Sequence, residues 1–262
     1  MKIYCAKCNH VFSAEVPADG DSVPCPKCGA PVKFPENKLG PGTVIGDFVI
    51  ERALSKGGMG EVFLAKQISL DRPVALKVLQ DKFLDDKEYV DSLFREARAA
   101  GKISHPNIVQ AYAVGEEDGI FYFAMEFIRG ETLKQILKRE KKLEFTMAAR
   151  IIREIAGALD AAWREQKLVH QDIKPDNILM GNFGEVYLMD WGCARTFGTV
   201  PESLSGTPNY LPPEFLMDKI VTPLVDVYSL GMLLFEMTTL RRGNNNCPIR
   251  RRRSPRCTSP AT

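Results

Sequence analysis

"VHQDIKPDNIL", Val169–Leu179, brings Asp172, Lys174 and Asn177 within six residues of one another. Moving a phosphoryl group requires a carboxylate to orient the attacking hydroxyl, a cation beside the transferring phosphate, and hard oxygen ligands for Mg²⁺. This short run offers all three chemistries. Thirteen residues beyond Asn177, an apolar strand-like run in "YLMDWG" (Tyr187–Gly192) reaches Asp190, a second oxygen ligand for the metal. Singly, each residue reads as ordinary loop polarity. Their order and closeness carry the chemistry.

Working back toward the N-terminus, "LSKGGMGEV" (Leu54–Val62) lies between two β-like runs, 48–54 and 61–67. Glycines that open a helix after a strand mark a dinucleotide-binding turn; this strand–turn–strand setting excludes it. Here Gly57 and Gly60 let backbone N–H groups approach phosphates. A third run, 73–79, contains "VALKVL" and sets Lys77 in an apolar strand, where it reads as a phosphate ligand with Glu96 as its acidic partner. Val90, Leu93, Phe94 and Ala97 recur at helical spacing, with Asp85 and Glu88 as a capping box and Gly101 as the stop. Strands around 108–114 and 120–127 meet at the turn "EEDG". From Thr132 the pattern turns helical, and Ala148, Ile151, Ile152, Ile155, Leu159 and Ala162 mark one long amphipathic helix. A five-stranded half with one helix therefore precedes a helical half.

These motifs, with "HPNIV" (105–109), "GTPNYLPPE" (206–214) and "DVYSLG" (226–231), resemble the bacterial branch of the eukaryotic-like Ser/Thr protein kinases over roughly Phe48–Leu240. The resemblance implies an α+β, two-lobed fold. Its N-lobe would be a five-stranded antiparallel sheet (48–127) and its C-lobe mainly helical (128–240), with ATP in the cleft. It further implies that Lys77 holds the α/β-phosphates and pairs with Glu96, that Asp172 is the catalytic base, that Lys174 steadies the γ-phosphate, and that Asn177 and Asp190 bind Mg²⁺. Leu54, Gly57 and Gly60 would cover the nucleotide. Val62, Ala75 and Leu179 would sandwich adenine, with Met125 as gatekeeper and Glu126–Ile128 as hinge. Lys174 and Thr207 match the Ser/Thr rather than the Tyr kinases, so the implied substrate is a protein hydroxyl.

Four departures stand out against that pattern. Ser55 occupies the place of the first loop glycine. Gln171 stands where the family has an Arg that grips an activation-segment phosphate; an amide cannot make that bidentate pair, which implies a loop ordered by other means. Trp191 replaces a Phe, and Ala100 and Ala111 are its expected small neighbours, conserving volume. After "LLFEMTTL" the chain reads "RRGNNNCPIRRRRSPRCTSPAT" in place of further C-lobe helices. Residues 241–262 are expected to be a disordered basic tail on a truncated C-lobe. The apolar face of Leu224–Leu240 would then need cover from an oligomer or a partner.

At the N-terminus, "CAKC" (Cys5, Cys8) and "CPKC" (Cys25, Cys28), sixteen residues apart, have zinc-ribbon spacing. Four thiolates leave no open coordination position, so Zn²⁺ would be structural and would supply the folding energy of a segment, 1–36, too poor in apolar residues to fold alone. "PENKLGPGTVIGD" (Pro35–Asp47) is rich in Pro and Gly, and 37–47 reads as a linker. On that reading, losing the metal leaves nucleotide binding intact. The 45% hydrophobic content supports a sizeable core, and the overall +2 charge becomes −5 once the seven tail arginines are set aside. A mildly acidic body argues against nucleic acid as partner. No apolar run is long enough to span a bilayer and no signal peptide opens the chain, so a cytoplasmic location is expected. The rival reading from another class is a non-catalytic nucleotide-binding or scaffold protein whose ribbon binds a partner.

Overall fold

The computed structural model describes residues 2–15, 22–35, 38–57, 60–84, 86–201 and 206–239. They fall into two compact units. One runs to Arg129 and includes Asp190–Gly192; the other holds Gly130–Met189 and the chain from Cys193.

In the first unit, two small antiparallel hairpins come first: β1 (Lys2–Cys5) with β2 (His10–Ser13), and β3 (Ser22–Pro24) with β4 (Pro31–Lys33). A six-stranded antiparallel sheet follows, made of β5 (Val44–Ile45), β6 (Phe48–Lys56), β7 (Gly60–Gln67), β8 (Arg72–Leu79), β9 (Ala111–Glu117) and β10 (Ile120–Glu126), in the order β5-β6-β7-β8-β10-β9. The side-chain period of two divides its residues cleanly. Phe63, Ala65, Val74, Leu76, Val78 and Ala124 face one way into a buried core with Ile45, Phe48 and Ile50. Their alternates Val62, Ala75, Lys77 and Met125 therefore share the opposite face, as the cross-strand pairs Val62–Lys77 and Ala75–Met125 require. Among the described residues the unit has one α-helix, α1 (Lys87–Gly101), which buries Leu93, Glu96, Ala97, Ala99 and Ala100.

Three local expectations change. The sheet has six strands rather than five, because β5 pairs with β6 through Val44–Val49 and Ile45–Phe48. For the same reason the stretch expected as a linker is not loop throughout: Thr43, Val44 and Ile45 are buried. The N-cap of α1 is Asp86, whose carboxylate accepts from the Glu88 N–H at 3.0 Å, satisfying one of the helix's orphan donors. Asp85 lies outside the described residues.

In the second unit, β11 (Gly130–Thr132) leads into α2 (Leu133–Glu140), whose start is closed by a reciprocal Thr132–Gln135 capping box. The long helix α3 (Phe145–Gln166) buries Ala148, Ile151, Ile155, Ala158, Leu159 and Ala162 on one stripe. It ends at Lys167 in the left-handed region, φ 54°. Then come β12 (Leu168–Val169), β13 (Ile178–Gly181), β14 (Val186–Leu188) and β15 (Arg195–Thr196); β11, β13 and β14 form one small sheet, β12 and β15 another. Helices α4 (Pro213–Asp218) and α5 (Leu224–Thr239) follow. Phe215, Val221 and Val225 close a core with Val169 and Leu211. On α5, Leu233 and Met237 are fully buried, while Leu224, Val227 and Phe235 are exposed. The expected tail, 241–262, lies outside the described residues. Among the described residues no helix is long and apolar enough to cross a membrane.

Candidate active site

The first unit holds Lys77, Glu96 and Asp190 of the predicted set. Lys77 projects from β8, and its Nζ donates to Glu96 Oε2 on α1 at 2.6 Å, with Asp190 Oδ1 4.0 Å away. Burial raises the carboxyl of Glu96 from 4.5 to about 7; the nearby Asp190 charge adds to this and Lys77 opposes it. Asp190 itself has a left-handed backbone, φ 64°, an uncommon conformation for a residue with a side chain. The turn between β6 and β7 is closed by the Gly57 N–H donating to Gly60 O at 2.8 Å. Gly60 also has a packing reason to be glycine: a Cβ there would lie 2.6 Å from the Val78 carbonyl oxygen of β8. Leu54 is exposed at the end of the sheet, Val62 and Ile128 are half-buried, and Met125 is buried where a bulge interrupts the β9–β10 pairing. The backbone N–H of Glu126 donates to Gln110 O at 2.9 Å.

The raised Glu96 carboxyl has a testable consequence. The folded chain holds a proton there through a range of pH, from 4.5 to about 7, in which the unfolded chain has released it. Its contribution to stability is therefore complete below the unfolded value and is lost as pH rises through the folded one. Glu96→Gln should flatten the fall in thermal midpoint across that window, measured by calorimetry at several pH values. An unchanged slope would show that Glu96 is ionised throughout.

The second unit holds Asp172, Lys174 and Asn177, which are tightly bonded. Lys174 Nζ donates to Asp172 Oδ2 at 2.6 Å and to Thr207 Oγ1 at 3.1 Å, and the Thr207 hydroxyl donates to Asp172 Oδ1 at 2.7 Å. Asn177 Nδ2 donates to the Asp172 backbone carbonyl at 2.8 Å and to Oδ2 at 3.0 Å. That orientation leaves the Asn177 amide oxygen as the acceptor for a hard cation. Leu179 lies on β13, opposite Tyr187 and Thr132.

Behind this cluster is a residue that the sequence reading did not single out. The buried carboxylate of Asp226 on α5 accepts from the backbone N–H groups of His170 and Gln171, each at 2.8 Å. Burial raises its pKa, opposed by His170 and by these two N–H groups. His170 Nε2 is 3.2 Å from the Met189 carbonyl oxygen, and the Asp172 N–H donates to His170 Nδ1 at 3.3 Å. Gln171 occupies the left-handed region, φ 66°, with its side-chain amide buried and without a hydrogen-bond partner among the described residues. The one available signal was an acid near the start of an apolar helix in "DVYSLG". Nothing in the sequence says which backbone it would reach.

The four N-terminal cysteines converge. Their sulfurs all lie within 4.8 Å of one another, with Cys5–Cys28 and Cys8–Cys25 both at 3.6 Å. A disulfide brings sulfurs to about 2.05 Å, whereas four thiolates at about 2.3 Å from one zinc stand about 3.8 Å apart. The residues therefore fit a tetrahedral metal and not two disulfides. Each knuckle is a tight turn: the Asn9 and Gly29 N–H groups donate to the carbonyls of Cys5 and Cys25, each at 2.9 Å, and both residues have positive φ, 56° and 70°.

The first unit thus holds a lysine–glutamate pair beside a left-handed aspartate, and the second a loop aspartate bonded to lysine, threonine and asparagine. Residues 48–247 match the family model of the protein kinase domain, and the chain belongs to that family. It is 39% identical over 202 residues to the serine/threonine-protein kinase PrkC of Bacillus subtilis, covering 76% of this chain and 31% of that protein. It is 36% identical over 203 residues to a probable serine/threonine-protein kinase of Clostridium acetobutylicum, covering 76% and 31%. Over 209 residues it is 34% identical to the serine/threonine-protein kinase PknA of Mycobacterium tuberculosis, covering 76% and 48%. The chain thus spans less than half the length of these curated relatives.

Proposed function

We propose that the chain catalyses ATP- and Mg²⁺-dependent phosphorylation of serine or threonine hydroxyls on proteins, in a reducing, cytoplasmic setting. The observation that carries this reading is the Asp172–Lys174–Thr207 triangle, in which a buried carboxylate is oriented by one cation and one hydroxyl. Asp172 is then the group that orients an acceptor hydroxyl and takes up its proton, and Lys174 is the cation beside the transferring phosphate. Lys77, held straight by Glu96, is the ligand for the α/β-phosphates. The Asn177 amide oxygen and the Asp190 carboxylate suit Mg²⁺, which when bound neutralises charge on the phosphates. Leu54, Gly57, Gly60, Val62, Ala75, Met125, Glu126, Ile128 and Leu179 are assigned to the nucleotide. The four cysteines are assigned one structural Zn²⁺.

The test is transfer of labelled γ-phosphate from ATP to a generic protein substrate by the purified chain, with and without magnesium. Magnesium-dependent label on serine or threonine is the expected result. ATP binding without transfer would instead make the chain a nucleotide-binding scaffold.

A further inference from the structure

The ribbon does not hang from the kinase unit on a free tether. Ile3 on β1 is fully buried and forms an antiparallel bridge with Thr43, itself 5% exposed. The next two residues, Val44 and Ile45, are β5, hydrogen-bonded to the start of β6. Leu39 packs on the sheet core that contains Ile45 and Phe48. The contact extends to the other end of the strand order. Lys2, next to Ile3, makes an ion pair with Glu117 on β9, the strand at the opposite edge from β5. The two edges approach one another: Tyr122, on β10 beside β9, stacks edge-on against Phe48 of β6 at 5.7 Å, and its hydroxyl would be 2.7 Å from a Cβ on Gly46. Consecutive residues of β1 thus touch both edges of the curled sheet.

Ile3 belongs equally to the ribbon's own core, packed with Cys5, Cys25 and Val32. That core is small, and two of its buried members are metal-ligating cysteines, so it is held together by metal more than by apolar area. Without the metal, Ile3 and Lys2 lose the frame that presents them to the sheet. Thr43, directly before β5, then loses its bridge, at the strand pair that leads into Leu54–Gly57.

We propose that the ribbon is a metal-dependent clamp on the nucleotide-binding unit, joining the two edges of its sheet, so that the metal supports ATP binding from a distance. This rests on the assignment of Zn²⁺ to the four cysteines, and it replaces the expectation that metal loss leaves nucleotide binding intact.

The experiment uses the full chain, a zinc-selective chelator, and magnesium in excess. Three quantities are read: zinc released per chain, amide hydrogen exchange over 43–56, and affinity for a non-hydrolysable ATP analogue. The expected result is release of about one zinc, faster exchange across β5 and β6, and nucleotide affinity lowered by about fivefold or more, the low end of coupling between sites. Added zinc should restore all three. A second arm leaves the cysteines intact: Lys2→Glu, which faces Glu117 with a like charge, should keep its zinc yet exchange faster over 43–56, and Glu117→Lys on that background should reverse the effect. If zinc is released and both exchange and affinity stay put, the clamp is wrong while the zinc assignment stands. If no zinc is present to release, the zinc assignment fails, and the clamp with it.

Discussion

Asp172→Asn is expected to lower phosphotransfer by about 10²- to 10⁴-fold, the range contributed by a positioned acid or base. The substitution is nearly isosteric, and its amide can be accommodated. The oxygen can turn toward Lys174 and Asn177, both donors, while the NH₂ meets Thr207 Oγ1, whose hydroxyl can rotate to accept. The fold should therefore survive with a stability loss of about 1.5–3 kcal/mol, the worth of a hydrogen bond to a charged group. What disappears is a carboxylate able to take up the proton of an acceptor hydroxyl. The measurement is steady-state turnover against ATP and a protein substrate, with nucleotide affinity in parallel. A large fall in kcat at near-constant ATP affinity is the expected split. Undiminished turnover would remove Asp172 from the chemistry.

Asp226→Ala should be the most damaging single change to the second unit. The carboxylate accepts from two backbone N–H groups, each at 2.8 Å, and Asp226 is only 6% exposed. A hydrogen bond to a charged group is worth about 1.5–3 kcal/mol, so losing both costs about 3–6 kcal/mol and leaves two buried N–H groups without an acceptor. A whole domain has about 5–15 kcal/mol in hand. The loss also releases Gln171 from its left-handed conformation, immediately before Asp172. Urea denaturation should show the lower midpoint. Asp226→Asn, which keeps one acceptor and puts a donor against the other N–H, should fall between the alanine variant and the parent. If both variants denature like the parent, the backbone at 170–171 is held by something other than Asp226.

Asp172 and Asp226 differ in how much of their role is local in sequence. The candidate residues on the 172–177 loop stand out in the sequence because their chemistry is concentrated in one short local run. The long helix was legible because a buried stripe repeats every 3.6 residues whatever it packs against. The apolar run "VALKVL" likewise marked a strand that carries Lys77, and the sheet then set Lys77 and Ala75 on the face opposite Val74, Leu76 and Val78. The two-residue strand β5 was not legible, since alternation needs at least four residues to register, and its Pro- and Gly-rich surroundings read as linker.

By itself, then, the sequence determined the family, the order of the five longer strands of the first unit and of the helices α1 and α3, and the residue types proposed to carry the chemistry, because each is written in local spacing. Only the tertiary structure decided which distant groups meet. Asp226 reaches the backbone of His170 across 56 positions, Thr207 reaches Asp172 across 35, and Ile3 bridges Thr43. Such contacts depend on chain closure and on which buried polar group is left needing a partner. Both are properties of the packed molecule, with no local trace in the residues that make them.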